Sequence, residues 1–111
     1  MTKSVFIALT ILILSSSVAD AAIYKGQREF VRKCTKCHDT GQNFVASKKI
    51  REWKKLMRRK GKKLAKVHLK DQEAKKSWKY FKSRRYKRKV RHLKQFFIEY
   101  AKDSGNVPAC N

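Results

Sequence analysis

The 111-residue chain predicts a small all-α domain of three to four helices. Apolar residues recur at helical spacing along its second half, and no segment shows the strict alternation of a strand. Gly41, Gly61, Gly105 and Pro108 mark the predicted helix ends.

Residues 1–21 have the pattern of a secretory signal peptide. Lys3 supplies the positive charge, Val5 to Leu14 form an apolar run, and Ala19-Asp20-Ala21 fits the small-x-small cleavage rule. The run is shorter than the roughly 20 residues that span a bilayer. We therefore predict that residues 22–111 form one domain exported to the periplasm, and an uncleaved membrane anchor is the alternative.

The first helix is predicted from Gln27 to His38, because Phe30 and Cys34 lie four residues apart with Val31 beside them. Asp39-Thr40-Gly41 should end it, with Gly41 suited to a positive φ. Residues 42–47 are predicted to be a loop.

The second helix is predicted from Ser47 or Lys48 to Lys60, where Gly61 stops it. Its apolar stripe is Ile50, Trp53, Leu56 and Met57. The following segment, 62–70, fits either a short helix or an extended loop.

Asp71 is a good N-cap for a third helix with Ala74, Trp78 and Phe81 on its apolar side. The fourth helix is predicted over 83–103. Its stripe is Tyr86, Val90, Leu93, Phe97 and Tyr100, with Gly105 expected at the C′ position.

The most specific motif is Cys34-Thr35-Lys36-Cys37-His38, the attachment pattern of a c-type haem. Two thiols three residues apart on a helical turn can each form a thioether with the same porphyrin. His38 then lies under the iron as the proximal ligand. The alternatives are a thiol redox pair and a zinc site. Zinc would be held by Cys34, Cys37 and two of His38, His68, His92 and Cys110.

The run Gly26-x-x-x-Phe30-x-x-x-Cys34-x-x-Cys37-His38 resembles the N-terminal helix of small class I cytochromes c. The resemblance implies a cytochrome c-like domain around one covalently bound haem c. It also implies that the first helix crosses the last, with Gly26 allowing close approach and Phe96, Phe97 and Tyr100 filling the crossing. Trp53 matches the Trp-bearing helix of small periplasmic cytochrome subunits. The chain departs from the family in having no Pro soon after the haem motif.

The sixth iron ligand has several candidates. His68 lies in the connecting segment where class I proteins usually deliver this ligand. Met57 is the alternative, although it follows Trp53 on an apolar stripe and related cytochromes have their Met about one turn later, at the position of Gly61. His92, a Lys and an open site are the remaining alternatives.

The charge is extreme, with 30 Lys and Arg against eight Asp and Glu, a formal +22. Outside the cytoplasm nucleic acid is mostly absent, so the expected partner is an acidic redox protein, with an anionic membrane surface as the alternative. Lys33 and Lys36 flank the haem thiols. Cys110 is left over once Cys34 and Cys37 bind haem, which indicates an intermolecular disulfide, a reactive thiol or an inert thiol on the tail.

These observations predict an electron-transfer protein whose haem iron cycles between Fe(II) and Fe(III), and no enzyme. The alternative is a haem-based sensor or ligand-binding module with an open sixth position. A small peroxidase would need a distal acid–base pair, for which His68 and Asp71 are the available residues.

Overall fold

The computed structural model describes residues 20–108, which contain helices and turns and no strand. Helix α1 covers residues 20–33. The other α-helices are α2 (Gly41–Phe44), α3 (Ile50–Leu56), α4 (Arg58–Leu69), α5 (Trp78–Phe81) and α6 (Arg84–Glu99), and two 3₁₀ helices cover Val45–Ser47 and Gln72–Ser77. The all-α class is confirmed, but the chain is cut into more helices than the three to four predicted.

Residues 1–19 and Cys110 lie outside the described part of the chain, and so does most of the predicted signal peptide. None of the helices in residues 20–108 is long and apolar enough to cross a membrane.

Helices α1 and α6 cross at Gly26, as predicted. A Cβ atom at Gly26 would collide with the backbone carbonyl of His92 and with Cβ of Phe96 on α6. One turn later, the Phe30 ring lies 5.5 Å from the Phe96 ring and 6.0 Å from the Phe97 ring, between centroids. The glycine allows the two backbones to touch, and the aromatic rings fill the space beside them.

The core is formed largely by α6 and the helices packed on it. Its buried side chains are Phe30, Val45, Trp53, Met57, Ala65, Tyr86, Val90, Leu93, Phe96, Phe97 and Ala101. Trp53 stacks on Phe97 at 4.3 Å and donates its indole N–H to the Val45 carbonyl at 2.9 Å. Each large apolar side chain buried in this way contributes about 1.5–3 kcal/mol.

The second predicted helix is broken, which corrects the expectation of one helix to Lys60. Helix α3 ends at Leu56, and Arg59, Lys60 and Gly61 then have left-handed φ values of 53°, 57° and 73°. The remainder of α4 continues to Leu69, so the segment left open as helix or loop is helical.

Contact with α6 explains this break. Gly61 is buried, and a Cβ there would overlap the hydroxyl of Tyr86 and a methyl group of Val90. Tyr86 donates its hydroxyl to the Gly61 carbonyl at 2.6 Å. The left-handed turn therefore places this part of α4 against α6, and α4 then continues to Leu69.

The first helix and the loop after it were also predicted incorrectly. Helix α1 begins by residue 20 and ends at residue 33, so the motif lies on turns that follow it. Thr40 caps α2 by accepting from the Asn43 N–H, and Gly41 opens that helix without a positive φ. The predicted loop over 42–47 is therefore mostly helical.

The later helices differ mainly at their ends. Asp71 is an N-cap as predicted, but of a 3₁₀ helix, where its carboxylate accepts from the Glu73 N–H at 2.9 Å. Helix α6 ends at Glu99, because the chain beyond it turns towards α3. There Asp103 accepts from the N–H of Ile50, the first residue of α3, at 2.8 Å. Gly105 has the positive φ expected of it, 80°, but lies beyond the helix cap.

Candidate functional site

The motif forms a tight turn that extends the end of α1. The backbone N–H groups of Cys37 and His38 both donate to the Cys34 carbonyl, at 3.2 and 2.8 Å. Cys34 is half-buried against the core and Cys37 is exposed, and both are free thiols. The turn therefore gathers both sulfurs and the imidazole of His38 on one short stretch of backbone.

Cys34 is held in its protonated form. Burial, followed by the charges of Glu29 and Cys37, raises the pKa of the Cys34 thiol to about 12. Thiol–disulfide oxidoreductases need the opposite, because their attacking cysteine is activated by a lowered pKa. This environment argues against a thiol redox pair.

The ring of His38 packs against two neighbouring rings. It stacks on Phe44 at 4.0 Å, and its centroid lies 5.9 Å from that of His68 with the rings nearly perpendicular, at 83°. Burial, with smaller contributions from His68 and Lys48, lowers the pKa of His38. Its neutral form, which has a lone pair free for a metal, is therefore favoured.

His68 is oriented by its own helix and by α5. Its Nδ1 lies 2.8 Å from the Leu64 carbonyl, and since a carbonyl only accepts, Nδ1 carries the proton. The Nε2 lone pair then remains available, as in metal sites where a backbone carbonyl fixes the tautomer. The ring stacks on Phe81 at 4.3 Å. Trp78 donates its indole N–H to the His68 carbonyl at 2.7 Å.

Met57 and His92 are the other candidate ligands among the described residues. Met57 is 2% exposed and forms part of the hydrophobic core. His92 contributes its backbone to the α1–α6 crossing, and its Nδ1 lies 3.3 Å from Oε1 of Gln95. His68 thus packs against His38, whereas Met57 packs in the hydrophobic core and His92 lies near Gln95 on α6.

Several residues of this site were not singled out by sequence reasoning. Phe44 lay in a predicted loop and Phe81 on a predicted core face. The hydrogen bond from His68 to the Leu64 carbonyl joins residues four apart, which is the spacing of one helical turn. It could therefore have been predicted if the segment had been assigned as a helix.

A buried ion pair lies next to the motif. Glu29 is 2% exposed, and Arg85 donates from Nε to both of its carboxylate oxygens, at 3.0 and 3.1 Å. Within residues 20–108 the buried hydroxyl of Tyr80 has no hydrogen-bond partner. Burial, followed by Glu29 and Cys34, raises the pKa of this phenol.

The donor set can be compared with those of zinc and of a haem iron. No three His, Cys, Asp or Glu side chains of the described residues group closely enough to hold a metal ion. Structural zinc takes four protein ligands, whereas a porphyrin leaves only the two axial positions to the protein. Two imidazoles on opposite sides of one ion, with nitrogens about 2 Å from it, have ring centres about 6 Å apart. The separation of His38 and His68 is close to this value.

Two surface cavities have basic linings, and neither includes Cys34, Cys37 or His38. The larger, about 660 Å³, is called here the α4 groove. It is lined by Lys55, Arg58, Arg59, Lys62, Lys63, Lys66, Val67 and Lys70. The smaller, about 100 Å³, lies between α1 and α6.

No protein family, curated protein or solved structure matches this chain.

Proposed function

We propose that this protein is a periplasmic electron carrier with one covalently attached c-type haem. The observation that carries the proposal is the pairing of a Cys-x-x-Cys-His turn with a second imidazole. The rings of His38 and His68 have centroids 5.9 Å apart. When bound, the haem would supply one-electron chemistry between Fe(II) and Fe(III).

In this proposal each residue of the site has one role. The sulfurs of Cys34 and Cys37 hold the porphyrin edge, and His38 and His68 are the axial ligands. Phe44 stacks on His38 and the Leu64 carbonyl orients His68, so neither ring needs to reorganise when the charge at the metal changes. Two histidine ligands place the reduction potential below that of a His/Met pair.

An iron with both axial positions filled transfers electrons without binding a substrate. A sensor, the alternative function, needs one open position. The closeness of His68 to His38 favours the carrier, and it favours His68 over Met57 as the sixth ligand.

The α4 groove supports an acidic redox protein as partner. Seven of its eight lining residues are basic and none is acidic, and Val67 offers an apolar contact that is 52% exposed. Complementary charge accelerates encounter between redox proteins, whose interfaces are small and short-lived.

The first experiment tests covalent attachment by acid–acetone extraction of the purified protein. A thioether-bound haem stays with the polypeptide, and the double variant Cys34→Ala/Cys37→Ala should lose its colour into the solvent. Release of haem from the unaltered protein would refute the proposal.

The second experiment identifies the sixth ligand from visible and near-infrared spectra in both redox states. His68→Ala should convert a low-spin iron into a high-spin one, and Met57→Leu should leave the spectrum unchanged. A high-spin spectrum of the unaltered protein would instead support the sensor.

A further inference from the structure

The small cavity between α1 and α6 has a lining of unusual charge. It is lined by five basic residues and one carboxylate: Lys25, Arg28, Glu29, Arg32, Arg85 and Lys89. Its volume is about 100 Å³, which is enough space for one small anion.

The buried carboxylate of Glu29 holds Arg85, one of the arginines that line this cavity. The side chain of Glu29 is 1% exposed and that of Arg85 is 37% exposed. Arg85 uses Nε for both bonds to Glu29, and neither of its Nη atoms has a hydrogen-bond partner within residues 20–108. Within the described part of the chain the two Nη groups are therefore available to an oxyanion, which a planar guanidinium binds through two parallel N–H donors.

The other basic residues of the lining come from α1 and α6, on both sides of the Arg85 guanidinium in sequence. Lys25, Arg28 and Arg32 follow one another at helical spacing on α1, and Lys89 lies one turn after Arg85 on α6. The one negative charge in the lining is already paired with Arg85. The cations consequently repel one another until an anion enters.

We propose that this cavity binds a single phosphate group. Donors on both helices suit a tetrahedral oxyanion, which presents oxygens in several directions, better than a planar carboxylate with two. The phosphate can be free or belong to a phospholipid headgroup, because both offer the same oxygens. The site contains none of the proposed haem-binding residues, so it holds or fails independently of the haem.

The test is a titration of the purified protein with inorganic phosphate at constant ionic strength, followed by phosphorus NMR and by amide chemical shifts. We expect saturable binding of one equivalent, with shifts around Arg28 and Arg85. Arg85→Lys keeps the charge but loses the two parallel donors and should weaken binding about tenfold. Arg28→Gln, at an exposed position, should weaken it about threefold without disturbing the buried ion pair.

The matched control is Lys75→Gln/Lys76→Gln, two exposed positions that line neither cavity. This double variant loses more charge than either test variant, and it should bind phosphate as the unaltered protein does. Non-saturable binding, an equal loss in the control, or unchanged affinity in both test variants would overturn the site. Vesicles of phosphatidylglycerol, with phosphatidylcholine as reference, then identify the source: weaker vesicle binding by Arg28→Gln than by the control indicates a headgroup, and equal binding indicates free phosphate.

Discussion

Gly26 lies where the backbones of α1 and α6 are in direct contact. We expect Gly26→Ala to lower the free energy of unfolding by about 1–3 kcal/mol, since the added methyl group forces the helices apart. Denaturant unfolding measures the change. The control is Gly105→Ala, where a Cβ meets nothing within 4 Å and only the φ of 80° resists it, at about 1 kcal/mol. Equal losses would mean that the close approach does not limit packing.

The hydroxyl groups of Tyr80 and Tyr86 differ in whether they have a hydrogen-bond partner among the described residues. Tyr86 donates to the Gly61 carbonyl at 2.6 Å, whereas the buried hydroxyl of Tyr80 has no partner within the described residues. Tyr86→Phe should therefore cost about 1 kcal/mol of unfolding free energy, and Tyr80→Phe should be neutral or stabilising. Thermal and denaturant unfolding of the two variants check this. A greater loss for Tyr80→Phe would mean that its hydroxyl has a partner of its own in solution.

Tyr86 also predicts that the stability of the protein depends on pH. Burial raises the pKa of Tyr86 above its ordinary value of 10.0. A raised folded-state pKa gives stability that is complete below pH 10.0 and is lost as pH rises towards the folded value. The difference in stability between the unaltered protein and Tyr86→Phe should then be constant near neutrality and shrink above pH 10.0. Denaturant unfolding from pH 7 to 11 measures it, and a constant difference would contradict the assignment.

At the scale of elements, the left-handed turn near the start of α4 carries backbone strain. Arg59 and Lys60 have φ values of 53° and 57°, which cost non-glycine residues about 1–2 kcal/mol each. Lys60→Gly should raise the free energy of unfolding by about 0.5–1 kcal/mol, because strain relief exceeds the entropy glycine adds to the unfolded chain. Lys62→Gly, an exposed helical position on α4, should lower it by about 1 kcal/mol. The opposite order would contradict the left-handed turn.

This turn also marks the limit of prediction from sequence. Periodicity was sufficient for α6, because one stripe of apolar residues packs along its length. It failed at Lys60, where contact of Gly61 with Tyr86 and Val90 decides the backbone. It failed again at the end of α6, because Asp103 caps α3 from 53 positions away.

The candidate site divides in the same way. Cys34, Cys37 and His38 were predicted from a local motif, because its spacing is the one that attachment of both thiols to a single porphyrin requires. The approach of His68 to His38 depends on the direction in which α4 continues after its left-handed turn. The stacking of Phe44 on His38 depends on the short helix α2. Neither the turn nor α2 has a local sequence signature.

Over the whole molecule, the positive charge has no internal balance. Eight acidic residues cannot pair with 30 basic ones, so self-repulsion opposes folding and an anionic partner relieves it. The charge is also arranged: the α4 groove lies on the helix that carries His68, while the small cavity lies at the α1–α6 crossing. The first arrangement suits docking near the proposed haem, and the second suits a small anion.

Docking at the α4 groove predicts how electron transfer responds to salt. The rate constant for reaction with an acidic redox protein should fall about tenfold or more between low and moderate ionic strength, because screening shortens the reach of the groove's charges. Lys62→Gln/Lys66→Gln should slow the reaction at low salt and flatten this dependence. Lys75→Gln/Lys76→Gln removes the same charge outside the groove and should do so much less. Stopped-flow kinetics over a series of ionic strengths measures both. Equal effects of the two pairs would show that net charge alone attracts the partner, and the groove would then have no part in docking.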